Sequence, residues 1–496
     1  MSRPLARALI LLFATLAASA GAQTTPAINP DIPLTLEGAV ALAVQKNFDL
    51  QIQANSTESL RQSLIIAKAG FDPSINANLT RTFSESAAST TRLEGTSNDR
   101  TSFRAGITQP LIWTNGSLAL SSNIGRAASN NTNDLFNPQY TNDISLSYTQ
   151  PLLRNAGGKA ARSNIARSQI GLNIGLINYK SQVLSLILST ESAYYSLVTA
   201  RETLRIRQLS LDLAQKLFDE NTARRNAGQM TDIDVLSAEV GVENSRRSVV
   251  QAEQTVRDAE DALLNLINAS SFDTRPGPVK FDDYTEGRPD FAKSYQLARE
   301  YYPATLSAEE TLKQVQLELD DARRNLRPNL NLTAGWGYTA RAVNTGYSEV
   351  LGNLVDDHGH NWSLGLSYSM PWGRRVDKAN YRRAQLSLNS QQLRLEQLQQ
   401  QLLADVRQAV RTVETNLVAV QIASKATALA ERQYDQQKAR FDAGLTTSRN
   451  VLQFQDDLEN ARFNELSAKL TLRRAAATLH RLEGTSIDRY RIQLPQ

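Results

Sequence analysis

The sequence predicts an α+β membrane protein in which a few strands are joined to very long helices. Three observations indicate this fold class. Short segments alternate apolar and polar residues with a period of two, as in a sheet with one apolar face. Longer segments hold apolar residues at heptad spacing, and both patterns occur twice, in the same order, along the chain.

The composition limits the classes of function. The 496 residues include 54 lysines and arginines against 50 acidic residues, which gives a net charge of +4. The charges are interspersed, so we expect a solvated surface and no nucleic-acid partner. The chain has no cysteine, which excludes disulfides and a lipid linked to cysteine.

The first 22 residues predict a secretory signal. Arg3 and Arg7 precede the apolar run 8–18, and small residues follow up to Ala22, where we expect cleavage. The alternative is a membrane anchor, but the run is shorter than the roughly 20 residues that a membrane-spanning helix needs.

The two halves of the mature chain repeat one plan. Leu36 aligns with Phe291 at an offset of 255 positions, and Gly228 aligns with Gly444 at an offset of 216. Between them, LSYTQP matches LSYSMP at an offset of 220. We therefore predict a first repeat over 23–268, a linker over 269–290, a second repeat over 291–485 and a tail over 486–496.

Four segments have the alternation of a strand, at 75–83, 144–148, 330–338 and 362–370. The first repeat has 35 extra residues between its two strands, the difference between the offsets 255 and 220. Insertions collect in surface loops, so we expect this one outside the repeated frame. An extra hairpin within 101–124 is an alternative, but six strands would break the repeat symmetry, and we predict four strands per chain.

The helical segments are long. At about 1.5 Å per residue, 160–227 would span roughly 100 Å, 229–268 about 60 Å and 49–69 about 30 Å. The two shorter lengths together nearly equal the longest. We therefore expect a rod of antiparallel helices with the strands at one end and the glycine turns at the other.

Four strands cannot form a membrane barrel alone, because known barrels begin at about 8 strands and an open edge in lipid leaves backbone groups unpaired. Several chains must share one barrel, and three chains with four strands each would give 12 strands and a wide lumen. An alternative is one face of a soluble sandwich. The aromatic residues expected in the interfacial girdles of the barrel are Tyr148, Trp336, Tyr338, Trp362 and Tyr368.

The duplicated plan, the segment QPLLRNAGG, and the paired segments ARRNAGQMTDIDVL and ARFDAGLTTSRNVL resemble the TolC-type outer membrane efflux proteins. The resemblance covers about 36–485. It implies a homotrimer with a 12-stranded β-barrel in the outer membrane of a Gram-negative bacterium, continued by an α-helical coiled-coil tunnel in the periplasm. It also implies a periplasmic adaptor protein and an inner-membrane transporter of RND or ABC type as partners, in multidrug export or type I secretion.

The two glycine turns would form the periplasmic tip. Glycine tolerates positive φ after a helix, and Thr231 or Asp232, like Thr447 or Ser448, can cap the next helix. The resemblance implies that an adaptor docks on this tip and that side chains beside the turns line an aperture. The docking candidates are Gly228, Thr231, Val235, Leu236, Gly444, Leu445, Thr447, Val451 and Leu452, and the aperture candidates are Asp232, Asp234, Arg449, Asn450 and Gln453.

Some relatives have two rings of aspartate just after the turn. In the second repeat the matching positions are Asn450 and Gln453, and in the first repeat they are Asp234 and Ser237. With Arg449 close by, the sequence does not predict an acidic, cation-selective gate.

No catalytic group, cofactor or metal site is expected. The segment DDHGH at 356–360 has metal-ligand residue types, but a polar hairpin between two strands is the preferred interpretation. NAGGKAAR is interpreted as a bend between a strand and a helix, because it lacks the full phosphate-loop pattern. His480 is expected on an exposed helix flank. A structural or adhesive coiled-coil envelope protein is the alternative function, and an enzyme is disfavoured.

Overall fold

The computed structural model describes residues 33–85, 87, 95–131, 137–269, 275–281, 284–343 and 346–493. The predicted signal at 1–22, part of the linker and the last three residues of the tail lie outside this range. The chain divides into two compact units. The hairpin unit comprises Met1–Ala43, Ser192–Asp283 and Thr427–Leu466, and the sheet unit comprises Val44–Glu191, Tyr284–Ala426 and Ser467–Gln496.

Helices make up most of the described chain, and two of them are very long. The bounds are α1 Leu36–Lys46, α2 Phe48–Ala69, α3 Gly158–Ala161, α4 Ser163–Asn226, α5 Asp232–Leu266, α6 Phe291–Tyr301, α7 Pro303–Asn325, α8 Tyr347–Asp356, α9 Arg375–Asp442, α10 Ser448–Glu483 and α11 Ser486–Arg489. The long helix predicted at 160–227 is formed by α3 and α4, and the returning helix is α5. None of the helices in the described ranges is both long enough and apolar enough to cross a membrane.

Six strands form one antiparallel sheet in the sheet unit. Their bounds are β1 Ser74–Glu85, β2 Ser97–Pro110, β3 Ser117–Ser129, β4 Gln139–Pro151, β5 Asn329–Val343 and β6 His358–Ser369. The strands follow each other in chain order, so that each pairs with the next. The four predicted strands correspond to β1, β4, β5 and β6.

The prediction of four strands per chain is wrong, because β2 and β3 lie inside the sheet between β1 and β4. The prediction that the 35 extra residues lie outside the repeated frame is wrong for the same reason. The physical cause is the alternation within the insertion. Phe103 and Ile107 of β2 face the same side as Ile75 of β1, so the inserted hairpin extends the sheet with its apolar face in register.

The connection between β5 and β6 was expected to be a polar hairpin, and this expectation is also wrong. It contains α8, whose Val350 is fully buried against Ala340 and Ala342 of β5. Leu354, one turn later in α8, packs on the same cluster. Ala340 and Ala342 are successive residues on one face of β5, and their small side chains leave room for α8. The NAGGKAAR segment forms the expected bend, with Asn155 and Gly157 at positive φ before α3.

A hydrophobic core in the sheet unit joins α6, α9 and α10. Its buried members include Ala298 of α6, Leu402 and Val406 of α9, and Leu472 and Leu479 of α10. Leu402 and Val406 are four residues apart, and Leu472 and Leu479 are seven apart, which places each pair on one face of its helix. The heptad pattern of the sequence therefore corresponds to buried helix contacts.

Candidate functional site

The predicted tip residues lie in the hairpin unit, where two pairs of helices turn back. Gly228 has φ of 75° and Gly444 has φ of 73°. In the first turn, the backbone N–H groups of Gly228 and Gln229 donate to the carbonyl groups of Arg225 and Arg224, each at 2.9 Å. The second turn repeats this pattern. Both helices thus end in a Schellman motif, in which glycine occupies the left-handed position.

The helix after the first turn begins with a capping box. The Thr231 hydroxyl accepts a hydrogen bond from the Asp234 backbone N–H, and the Asp234 carboxylate accepts one from the Thr231 N–H at 3.2 Å. Of the two predicted caps, Thr231 and Asp232, the structure confirms Thr231. In the second turn α10 begins at Ser448, and the Thr447 carbonyl accepts from the Asn450 N–H at 3.1 Å.

A small core ties the two hairpins together near their turns. It contains Leu217 of α4, Tyr434 and Phe441 of α9, and Val451 and Leu458 of α10. Leu452 and Met230 pack on its edge. Val451, one of the docking candidates, is only 3% exposed, so its side chain supports the turn from inside.

Two residues that the sequence did not single out make contacts near the turns, Arg224 between the two hairpins and Asn221 between the two helices of the first hairpin. The Arg224 guanidinium lies 4.4 Å from the centre of the Phe441 ring, and its Nη1 donates to the Phe441 carbonyl at 3.3 Å. Asn221, which is fully buried, donates from Nδ2 to the Asp234 carbonyl at 3.3 Å. Neither contact follows a sequence period, because each depends on which helix faces which.

The surface of the tip is apolar at several points. Leu236 is 59% exposed and Leu445 is 69% exposed, as the docking prediction requires of residues that a partner could contact. Ile233, which was not predicted, is 75% exposed. The remaining docking candidates at Gly228, Thr231, Gly444 and Thr447 are exposed, and Val235 is half-buried.

The aperture candidates have different surroundings. Asp232 pairs with Arg225, with Oδ1 and Nη1 3.1 Å apart, and Asp234 is engaged in the capping box. Asn450 donates from Nδ2 to the Thr446 hydroxyl at 3.0 Å. Arg449 and Gln453 are exposed. One acidic side chain of the first turn, Asp232, is therefore paired with a cation of its own chain, and the second turn presents a cation and two amides.

A polar seam also joins α4 to α10 within the hairpin unit. Arg207 and Ser210 of α4 both contact the Glu459 carboxylate of α10. Gln455, which is buried, donates from Nε2 to the Ser210 carbonyl at 2.9 Å. These contacts satisfy polar groups between the two hairpins and restrict their register.

The second candidate surface is the sheet, whose two faces differ along most of the length of the strands. One row of directly opposed residues crosses all six strands and is apolar throughout. It consists of Ile75, Ile107, Leu120, Leu146, Trp336 and Trp362. Each of these side chains is at least 38% exposed. The opposite face has mostly serine, threonine, asparagine and glycine, with the charged residues Arg100, Arg104, Asp143 and Arg341.

The five predicted interfacial aromatics all lie on the apolar face. Trp336 stands directly opposite Trp362, and the Trp336 ring is 4.7 Å from that of Tyr338. Tyr148 and Tyr368 lie at even spacing from the same row on β4 and β6. At the far end of this face a charged group begins, in which Asp99 pairs with Arg81 and Arg126.

His480 is not on an exposed flank, and that expectation is wrong. Its Nε2 lies 2.9 Å from a carboxylate oxygen of Glu286, and its side chain is 17% exposed. Arg489 of α11 contacts the other Glu286 oxygen at 2.5 Å. Glu191 lies deeper in the same region, where its Oε1 accepts from the Tyr490 hydroxyl at 2.5 Å. This cluster joins the linker to the C-terminal helix within the sheet unit.

No group of three or more metal-ligating side chains occurs within the described ranges. His358 and His360 of the DDHGH segment stand on the apolar face of β6, opposite Ala340 and Tyr338.

A sheet with one exposed apolar face, joined to long hairpins of helices, defines a membrane protein of mixed α and β structure.

Comparison with known proteins identifies the family. A family model described as Outer membrane efflux protein matches residues 114–269 and 294–485, which together make up more than half of the chain. The protein belongs to this outer membrane efflux protein family. It is therefore a Gram-negative outer-membrane protein that extends into the periplasm.

Individual relatives are distant in sequence. The chain is 24% identical to the outer membrane protein TolC of Escherichia coli K12 over 333 residues, which cover 61% of this chain and 64% of TolC. The match thus spans less than two thirds of that relative.

The fold is similar to two solved structures. One is the CmeC outer membrane channel of Campylobacter jejuni, with a TM-score of 0.66 and 17% identity over 90% of this chain and 85% of CmeC. The other is the open state of the MtrE outer membrane channel of Neisseria gonorrhoeae, with a TM-score of 0.66 and 21% identity over 90% of this chain and 88% of MtrE.

Proposed function

We propose that this protein is the outer-membrane conduit of a tripartite export system. In this proposal three copies assemble, and their sheets close into one β-barrel in the outer membrane. The helices continue the passage into the periplasm. The conduit performs no chemistry, and a periplasmic adaptor and an inner-membrane transporter of RND or ABC type deliver drugs or secreted polypeptides to it. The family assignment supports the export role.

The observation that carries the proposal is the contrast between the two faces of the sheet. An exposed apolar row across six strands is unfavourable in water, at roughly 25 cal/mol for each Å² of apolar surface. In a closed sheet with this row outward, the row would contact lipid and the polar face would line an aqueous lumen. The lumen would then contain Arg100, Arg104, Asp143 and Arg341, at the positions that the register gives them.

The helical turns are the proposed docking surface for the adaptor. Leu236 and Leu445 are exposed beside the two glycine turns, and Ile233 adds a third large apolar side chain there. Exposed apolar groups in a polar rim are typical of protein–protein contacts. The buried Phe441 and Val451 beneath them hold the turns in one shape.

Pore formation tests the conduit directly. The purified protein should migrate as a trimer in detergent and should form ion-conducting pores in planar bilayers. A monomer, or a protein that gives no conductance although it inserts into vesicles, would contradict the proposal and favour the structural or adhesive function.

Adaptor docking is tested by site-specific crosslinking, for which the cysteine-free chain is suited. The Leu445→Cys variant should crosslink to the periplasmic adaptor in intact cells. The Ala334→Cys variant, on β5, is the matched control and should not. Equal crosslinking of the adaptor at both positions would rule out docking at the turns.

A further inference from the structure

The inserted hairpin is part of the wall of the sheet. On one side β2 is in continuous antiparallel register with β1, from Ser74 opposite Thr108 to Glu85 opposite Ser97. On the other side β3 is in register with β4, from Ser117 opposite Thr149 to Ala127 opposite Gln139. The direct neighbours of β1 and β4 within this half of the sheet are therefore the two inserted strands.

Hydrogen bonds connect the turn between β2 and β3 to the segments that enter and leave the sheet. Gln109, just before the turn, donates from Nε2 to the Phe71 carbonyl at 2.7 Å, next to the start of β1. On the other side, Gln150 of β4 donates to the Thr114 carbonyl at 2.9 Å, and the Asn115 side chain donates to the Asn155 carbonyl at 2.8 Å. The hairpin is thus held at both flanks by neighbours outside it.

The two faces of the hairpin match those of the other strands. Ile107 and Leu120 continue the apolar row, and Arg104 and Asn123 continue the polar face between Asn78 and Asp143. Arg104 stands directly opposite Asn78 and Asn123, and Asn123 donates to the Asp143 carboxylate at 3.4 Å. A hairpin that lay in the lumen or outside the membrane would not need faces that match those of β1 and β4.

The outer strands β1 and β6 each have 12 residues, and in the described chain each pairs on one side only. Open edges in lipid are costly because each unpaired backbone group loses several kcal/mol of hydrogen bonding. Since the number of strands per copy is even, β1 of one copy and β6 of the next run antiparallel. A closed sheet can therefore continue its antiparallel pattern from copy to copy.

We propose that each copy contributes six strands to the closed wall, and that β1 of one copy pairs with β6 of the next. This inference rests on the trimer of the proposed function. Three copies with six strands each give 18 strands, where four strands each would give 12. Because barrel diameter grows roughly linearly with strand number, the barrel is about 1.5 times wider than a 12-stranded one.

Strand neighbours are measured with cysteine pairs introduced on the polar face of the otherwise cysteine-free chain. Asn78→Cys with Arg104→Cys joins β1 to β2, and Asn123→Cys with Asp143→Cys joins β3 to β4. Both pairs should react within one chain when outer membranes are treated with a short bis-methanethiosulfonate. Only protein that runs as a folded, heat-modifiable trimer is scored.

The decisive pair is Asn78→Cys with Asp143→Cys. In the six-stranded wall these residues are three strands apart, roughly 14 Å at a spacing of about 4.8 Å per strand, which is beyond the reach of the reagent. If the hairpin lay outside the wall, β1 and β4 would be neighbours. Efficient crosslinking of this pair, with loss of the Asn78–Arg104 crosslink, would therefore overturn the inference.

The contact between copies is tested with Asn78→Cys combined in turn with cysteine at four polar-face positions of β6. These positions are Asn361, Ser363, Ser367 and Ser369. At least one combination should give a covalent trimer, and the absence of any crosslink between copies would contradict β1–β6 pairing.

Conductance in planar bilayers separates this inference from the proposed function. If the trimer conducts ions and Asn78 crosslinks to Asp143, the proposed conduit function stands and the proposal of six strands per copy is wrong. A protein that conducts no ions but forms the Asn78–Arg104 crosslink would reject the conduit.

Discussion

At the scale of single residues, the cluster around Glu286 determines a pH response. The hydrogen bond from His480, together with the positive charges of His480 and Arg489, lowers the pKa of the Glu286 carboxyl to about 2, from an ordinary value of 4.5. Burial has the opposite effect on Glu191, whose pKa is raised despite the hydrogen bond from Tyr490. The two carboxyl groups therefore contribute to stability with opposite dependence on pH.

We expect the Glu286→Gln variant to be less stable than the wild type at pH 7, by about 1–2 kcal/mol after allowance for solvent screening. A carboxyl with a lowered folded-state pKa stabilises the fold above its unfolded value of 4.5 and loses that effect as the pH falls toward 2. The loss in free energy of unfolding, relative to the wild type, should therefore be complete at neutral pH and should become smaller below pH 4.5. Thermal unfolding in detergent over this pH range measures it.

Glu396→Gln is the matched control, because Glu396 is an exposed glutamate on α9. Its unfolding temperature should follow that of the wild type at every pH. A deficit in Glu286→Gln that stayed constant from pH 7 to pH 3 would show that the ion cluster is not its cause.

At the scale of elements, the turns end the long helices through backbone conformation rather than side-chain contacts. A methyl group added at Gly228 or Gly444 would meet no atom within 4 Å, but both residues have positive φ. We expect Gly228→Ala and Gly444→Ala each to lower the free energy of unfolding by about 1 kcal/mol, because alanine is strained in the left-handed region. Chemical unfolding of each purified variant measures the change.

Gly171→Ala is the control for these variants. Gly171 lies within α4, and an added methyl group there also meets no atom within 4 Å. Because alanine is the better helix former, this variant should gain roughly 0.5–1 kcal/mol. A loss of stability at Gly171 equal to that at Gly228 would contradict the explanation from positive φ.

The sequence predicted those elements whose pattern is long or whose end has a local cause. The heptad spacing located α4, α5 and α10, and the repeated plan predicted a second long helix where α9 lies. The glycine followed by threonine located the first turn, whose cap is Thr231 rather than Asp232. The prediction of four strands was wrong for β2 and β3, because the alternation in 101–124 indicates a hairpin that the second repeat does not have. The sequence also did not predict α8, where Val350 and Leu354 are only one turn apart and leave no sustained period.

The docking role of the turns stays a prediction, and the structure gives only the exposure and the contacts of the residues there. Leu236 and Leu445, which are exposed, belong to the paired segments around the turn glycines from which the docking candidates were predicted. The contact of Arg224 with Phe441 and the pairing of His480 with Glu286 were missed. Both join segments that are distant in the chain, and local periodicity does not determine which side chains such segments bring together.

At the scale of the whole molecule, the strand register is the feature with the largest consequence for function. A shift of one residue in any strand would move its apolar side chains to the polar face. The register instead keeps the apolar row continuous from Ile75 to Trp362. We therefore expect assembly in the outer membrane to depend on which face a residue occupies more than on its position along the strand.

Adjacent residues of β6 allow a test of this dependence. Leu364 lies on the apolar face and is 69% exposed, whereas Ser363 lies on the polar face. We expect Leu364→Arg to lose about 2–4 kcal/mol of stability in the membrane, because it places a charge in lipid, and Ser363→Arg to lose much less. The yield of folded trimer in outer membranes, and urea unfolding in lipid vesicles, measure the two effects. If Ser363→Arg were the more damaging change, the polar face would have to be the one that contacts lipid, and the orientation of the wall would be reversed.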